Sequence, residues 1–327
     1  MNKRICILFL SLFCLSSNSQ TTNSFLNRGV ISTSLGKSGI VGNYYSESVL
    51  CNPANLYAVD TLDLDFTGIQ HQSDFLAGLY CNFNKSTTIG CSFYSKTYHN
   101  SSDSLDVYRN IISLSKLIFI KDTKTPLVSL GINVMSLGIQ KDMFQQESVD
   151  FGANILFRYF TLGTVASSGS TLYLNDSLRF QLPFSAGIGS EILLDSIFKS
   201  QFWRFRIDYM YSDGVTSPHP LSNSSNLFIG LNRGFLFPSI YKGNLKLNFI
   251  NIILGVVDGF LPYCYGVSLN NINNRSNSFY PEYHLGWSNI TIFDAPLHLE
   301  PNFRFNLSYS FSKNNHEMAF GLAFGYR

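Results

Sequence analysis

The sequence predicts an all-β chain: a transmembrane antiparallel β-barrel of about fourteen strands, preceded by an N-terminal hatch or plug segment. Three observations carry this expectation. The first is composition. Of 327 residues, 45% are hydrophobic and 15% aromatic, yet only 13% are charged, against roughly 25% in an average soluble domain. Ser, Asn, Gly and Thr fill the places that charges normally take, so mean hydropathy stays close to neutral. A helical membrane protein would be far more apolar, and a disordered chain would carry more charge and fewer aromatics. The second is a period of two, sustained from about residue 62 to the end. The third is an export signal on a chain with no other apolar run near the ~20 residues a spanning helix needs. Such a chain must bury its apolar residues in a core or show them to lipid as a closed barrel, whose strands leave no backbone group unpaired.

The elements follow in order. In residues 1–19, Lys3 and Arg4 precede a short apolar stretch over 5–15, and Ser17-Asn18-Ser19 offers small residues before Gln20. This is the pattern of a cleaved signal peptide, and the mature chain is expected to begin at Gln20. Residues 20–61 lack alternation and are polar and Gly-rich, with Gly29, Gly36, Gly39 and Gly42. They are assigned to a hatch or plug ahead of the barrel. Within them, Asn52 can close a turn and Pro53 fixes φ near −65°, which makes a rigid corner leading into the first strand.

Residues 62–327 are assigned to the barrel. Over 297–311, Leu297, Leu299, Phe303, Phe305, Leu307, Tyr309 and Phe311 share one face, while His298, Glu300, Asn302, Arg304, Asn306, Ser308 and Ser310 share the other. Only a strand separates these sets, because its side chains alternate between faces. The same pattern covers 75–83, 128–134, 180–188, 203–211 and 318–326. It is weaker over 62–71, 87–98, 108–120, 147–163, 226–237, 243–256, 261–272 and 280–293. The polar face is rich in Gly, Ser and Asn, as a wet lumen would be, and the chain closes on a strand with Tyr326 next to its end. A soluble sandwich would carry Lys, Glu and Thr outside instead of Phe, Leu and Ile.

Motifs for chemistry are sparse. The six His are scattered, no His-x-x-x-His occurs, and no Gly-x-Ser-x-Gly elbow is present, so neither enzymatic activity nor a metal or cofactor is expected. Gly36-Lys37-Ser38 resembles the end of a phosphate-binding loop but lacks its first Gly, since Ile31 stands there. A net charge of +2 marks no nucleic-acid partner. Cys81 and Cys91 stand where a hairpin turning near Lys85-Ser86 brings them close; two small apolar residues on the lipid side is the favoured reading over a bridge.

Charges on the wet faces form a candidate lumen network: Arg158, Glu191, Arg204, Arg206, Asp208, Lys246, Glu300 and Arg304. On the lipid side an Arg or Lys at the bilayer midplane would cost ~2–4 kcal/mol, so these residues are expected to point inward. Their signs are interleaved, which favours a network tying the hatch to the wall over a polar conduit.

A Gly-rich lead-in, then about ten residues, then Asn52-Pro53-Ala54-Asn55-Leu56 just before the first strand resembles the FadL/PorV-like outer-membrane barrels, with Asn55 where Gly is usual. The resemblance implies that Asn52, Pro53 and Ala54 lie in an N-terminal hatch inside a fourteen-stranded barrel. The PorV/PorQ-like branch of type IX secretion fits the short chain better than the longer transporters. It implies an integral outer-membrane protein, surrounded by lipid, that binds a secretion translocon or exported client proteins. The alternatives are a FadL-like transporter of hydrophobic small molecules and a plain diffusion porin. A hydrophobic pocket above the hatch would point to transport, and an open, blunt rim to a protein partner.

Overall fold

The computed structural model describes residues 38–42, 45–59, 62–69, 74–99, 104–119, 126–139, 142–175, 178–194, 203–213, 224–236, 260–269, 282–294, 301–311 and 316–326. The signal peptide expected over 1–19 and the strand expected over 243–256 lie outside these residues.

Two 3-10 turns, Tyr45–Leu50 and Pro53–Ala58, precede sixteen strands among the described residues. These are β1 (Leu62–Ile69), β2 (Asp74–Phe83), β3 (Thr87–His99), β4 (Ser104–Phe119), β5 (Pro126–Ile139), β6 (Asp142–Leu156), β7 (Phe160–Ser167) and β8 (Ser170–Asn175). The series continues with β9 (Leu178–Leu182), β10 (Ser185–Leu193), β11 (Trp203–Ser212), β12 (Ser224–Leu236), β13 (Phe260–Leu269), β14 (Glu282–Asp294), β15 (Pro301–Phe311) and β16 (His316–Tyr326). Fourteen of them close into one antiparallel barrel, in which β7 pairs directly with β10 while β8 and β9 form a separate hairpin. The ring closes where β1 meets β16, with Leu62 opposite Tyr326. Closure removes both sheet edges, so every strand of the wall has a partner on each side.

Alternation decides which face is which. In β4, Ile111 is 2% exposed and its neighbour Ile112 is 65% exposed. Across the wall the exposed side chains are large and apolar: Phe75, Leu79, Leu114, Val134, Phe151, Ile155, Leu162, Ile188, Phe320 and Leu322. Ser113, Ser129, Asn133, Asn154 and Ser308 point inward and are buried. The wall therefore turns oil outward and its polar groups inward, the reverse of a soluble protein and the arrangement that lipid demands.

The strand count matches the expectation, but two of the strands behind it differ. The stretch 147–163, read as a single strand, is β6 and β7 joined by a tight turn at 157–159. There the Phe157 N–H donates to the Phe160 carbonyl at 2.9 Å, and the two rings stack 4.4 Å apart. No Gly, Pro or Asn marks this turn. In the other case β12 pairs directly with β13 among the described residues, and the strand expected over 243–256 lies outside them. The reading of 180–188 as one strand is also corrected. Pro183, which has no N–H to offer a ladder, separates β9 from β10, and Leu182 turns inward while Phe184 faces out. Cys81 and Cys91 are free; the register sets Cys91 opposite Leu79 and Cys81 opposite Ile89.

Candidate lumen site

The described part of the N-terminal segment, 38–42 and 45–59, lies against the inner face of the wall. Ser38, Ile40, Glu47, Ser48, Asn52, Ala54, Asn55 and Leu56 are each no more than 1% exposed. A segment this short cannot satisfy its own backbone, so the wall must do so. Locally, Asn52 has extended backbone angles and caps the second 3-10 turn, its Oδ1 accepting the Ala54 N–H at 2.9 Å with Pro53 next to it. A Pro in the first turn costs nothing there because its missing N–H would have no partner anyway.

The same side chain also crosses to the wall. Asn52 Nδ2 donates to the Ile40 carbonyl at 2.7 Å and to Asn154 Oδ1 on β6 at 3.1 Å. Asn154 Nδ2 donates in turn to Asn55 Oδ1 at 2.7 Å, and Asn55 Nδ2 reaches the carbonyls of Ile40 and Gly39 at 3.2 and 3.3 Å. Other wall residues take what remains. Asn133 on β5 donates to the Val49 carbonyl at 2.8 Å. Asn82 on β2 donates to the Val59 and Tyr57 carbonyls at 2.9 and 3.2 Å. Asp208 on β11 accepts the N–H groups of Gly39 and Ile40 at 2.6 and 2.9 Å through one carboxylate oxygen.

This approach needs a wall without side chains. Gly131 and Gly152 face each other across β5 and β6, and Gly163 and Gly189 do so across β7 and β10. A Cβ at Gly131 would overlap the backbone of Pro53 and Ala54; at Gly152 it would overlap the Asn52 amide; at Gly163 and Gly189 it would strike Val41 and Ile40. The glycines form a seat for the Asn-Pro-Ala corner. Gly42, at φ +130°, makes a turn that other residues rarely adopt, with the Arg206 guanidinium packed 2.8 Å from where its Cβ would be.

Of the candidate charges, Glu191 and Arg206 form a buried ion pair, with Nη2 2.6 Å and Nε 2.9 Å from Oε1. Asp208 serves the segment's backbone as described. Arg204 and Arg206 act electrostatically on Tyr57, whose phenol is pushed up to about 12, first by burial and then by Glu191. Arg158 does not join them. It is exposed in the turn between β6 and β7 and stacks on Tyr159, 5.2 Å from the ring centre. Arg304 holds a position on β15 opposite Ala323, while Lys246 and Glu300 lie outside the described residues. Sequence reasoning did not single out Asn55, Asn82, Asn133, Asn154 or the glycine seat. Their only signal was the Gly- and Asn-rich character of the wet face.

On the side of the segment remote from the barrel's terminal strand ends, the lumen is apolar. Tyr94, Val107, Ile111, Met135, Leu137 and Ile139 of the wall pack with Val49, Leu56 and Val59 of the segment into one buried cluster. The β8–β9 hairpin folds in from that end and adds Leu172, fully buried, and Leu182. Beside Leu182 lies a cavity of about 30 Å³ lined by Arg109, Met135, Leu137, Pro183 and five serines: Ser148, Ser167, Ser168, Ser185 and Ser212.

No protein-family model matches the sequence, and no curated protein matches it either. Solved structures do match in fold. The CymD monoaromatic hydrocarbon channel superposes with a TM-score of 0.61 at 12% identity, covering 93% of this chain and 98% of that one. A Pseudomonas aeruginosa FadL homologue gives 0.53 at 10% identity, with 91% and 97% covered. The Pseudomonas putida toluene transporter TodX gives 0.51 at 11% identity, with 93% and 99% covered. At these identities the likeness is one of architecture, and the chain has the fold of the FadL-like barrels.

Proposed function

We propose that this protein is a non-enzymatic outer-membrane transporter of hydrophobic small molecules, and that residues 20–61 form its hatch. The observation that carries this reading is the buried apolar cluster stacked on the segment inside the lumen. Lumens that conduct water and hydrophilic solutes are polar, so inward-facing Tyr94, Val107, Ile111, Met135, Leu137 and Ile139 suit apolar cargo instead. A monoaromatic hydrocarbon channel and a toluene transporter share the fold, which supports the same reading. Hydrogen bonds, a glycine seat and apolar packing hold the hatch: Val49, Leu56 and Val59 pack in one cluster, and Ile40 and Val41 pack with Val165, Met210 and Phe228 in another. None of these contacts belongs to the strand ladder, so the segment can shift without unzipping the wall. A diffusion porin would need an open bore where the described residues pack closely.

The secretion-accessory reading rests on the Asn-Pro-Ala resemblance and the short chain, and the hairpin folded over the lumen is unlike the blunt rim a protein partner would want. The test is purification of a tagged copy from native membranes in mild detergent, with mass spectrometry of proteins and small molecules. Transport predicts a lone barrel enriched in apolar small molecules. Co-purified secretion components or exported proteins, with no enriched small molecule, would overturn it.

A further inference from the structure

The cavity beside Leu182 is polar where its surroundings are not. Pure hydrocarbon cargo needs no such place, since burying hydroxyls among apolar groups costs free energy unless each finds a partner. Here Ser185 opens β10, Ser212 closes β11 directly opposite it, and Ser167 at the end of β7 stands on its other side. Ser185 and Ser212 are each 7% exposed. Across the cavity, Ser148 Oγ lies 3.0 Å from Ser168 Oγ and 3.1 Å from the Ser168 carbonyl. Ser167 donates to Asp150, whose other oxygen accepts from Asn133 Nδ2 at 3.2 Å. Arg109 lines the same cavity, 5.8 Å from the Tyr94 ring centre. Adjoining this polar group are Met135, Leu137 and Leu182, members of the apolar cluster.

We infer that the transported molecule carries a neutral hydroxyl on an apolar body, an alcohol or phenol rather than a plain hydrocarbon. This rests on the transport reading above. The head enters the serine-lined cavity, whose 30 Å³ holds roughly two waters and so matches a hydroxyl displacing them. The body lies against Met135, Leu137 and Leu182, which adjoin the serines. Serine hydroxyls both donate and accept, which suits a hydroxyl. The Arg109 charge at the cavity is offset by Asp150, which Ser167 binds and with which Arg109 interacts electrostatically, so a neutral head is favoured over a carboxylate.

The experiment is equilibrium dialysis of labelled toluene and labelled benzyl alcohol against the purified protein, with protein-free detergent as the reference. It compares the native chain with a Ser185→Val/Ser212→Val variant. The expected result is that the preference for the alcohol over the hydrocarbon falls about tenfold in the variant, while toluene affinity is unchanged and so reports an intact pocket. Loss of affinity for both ligands together in the variant, or an unchanged preference, overturns the inference and leaves transport standing. Tighter binding of labelled benzoate than of the alcohol overturns the neutral head. Failure of the native chain to bind any of the three overturns the transport reading with it.

Discussion

Asn52→Ala separates the N-terminal segment's attachment from the barrel's own stability. The Asn52 amide makes three contacts under 3.2 Å: the cap to the Ala54 N–H, and donations to the Ile40 carbonyl and Asn154 Oδ1. Losing an N-cap costs about 1 kcal/mol. The Ile40 carbonyl keeps the Asn55 donor at 3.2 Å, so that loss is about 1 kcal/mol, the worth of one ordinary hydrogen bond. Asn154 Oδ1 is left buried without this donor, at about 1–3 kcal/mol. Together the attachment weakens by about 3–5 kcal/mol, so the open fraction rises by roughly two to four powers of ten. Hydrogen exchange reads this directly. The N–H groups of Gly39 and Ile40, bonded to Asp208, and those of Asn55 and Val59 should lose protection by that factor. Strand amides should keep theirs. Asn52→Asp can keep the cap but sets a buried carboxylate oxygen against the Ile40 carbonyl and Asn154 Oδ1, so its loss should be at least that of the alanine variant. Native exchange rates at Gly39 and Ile40 in Asn52→Ala, or equal loss along the strands, would refute the reasoning.

Gly152→Val places a branched side chain on the Asn52 amide and should raise hatch exchange as Asn52→Ala does, by overpacking instead of by lost bonds, while circular dichroism still reports the barrel. Ile112→Lys puts a charge on the lipid face at a position that is 65% exposed. It should cost ~2–4 kcal/mol in denaturant unfolding from lipid, whereas Leu307→Ile on an outward position should stay near native. Tyr57 gives a pH signature. Its phenol titrates at about 12 against 10.0 in an unfolded chain, so between these values the native state holds a proton the unfolded state has released. Stability therefore falls as pH rises from 10 towards 12. Unfolding measured at pH 9 and 11 should show a smaller fall in Tyr57→Phe than in the native chain.

How far the sequence could be read depends on what alternation encodes. Period two separates two faces, and it located the wall correctly in segments such as 128–134 and 318–326, where small inward residues sit between large outward ones. It says nothing of where a chain turns when the turn itself is aromatic. Phe157, Arg158, Tyr159 and Phe160 carry no turn residue, so β6 and β7 read as one strand and Arg158 was placed in the lumen. Alternation also cannot tell an apolar lumen from an apolar exterior when both faces are oily. In β4 the adjacent pair Ile111 and Ile112 belongs to opposite sides of the wall. The cluster under the hairpin became visible only when strands far apart in sequence were brought round the ring. The Asn52-Pro53 corner was legible because its local chemistry is self-contained. Its wall partner Asn154 lies more than a hundred residues away, and nothing local distinguishes it from other lumen-facing polar residues; Asp208, which holds Gly39 and Ile40, stood out only as a charge on a wet face.

The central claim is transport of apolar molecules past a hatch, and uptake by whole cells tests it most directly. Cells lacking their own hydrocarbon transporters would express this chain in the outer membrane and receive limiting labelled benzyl alcohol, labelled toluene or a labelled hexose. The account predicts faster entry of the aromatic molecules, no change for the sugar, and altered aromatic uptake in the Asn52→Ala variant. Faster entry of the sugar, or aromatic uptake equal to that of cells without the protein, would contradict it.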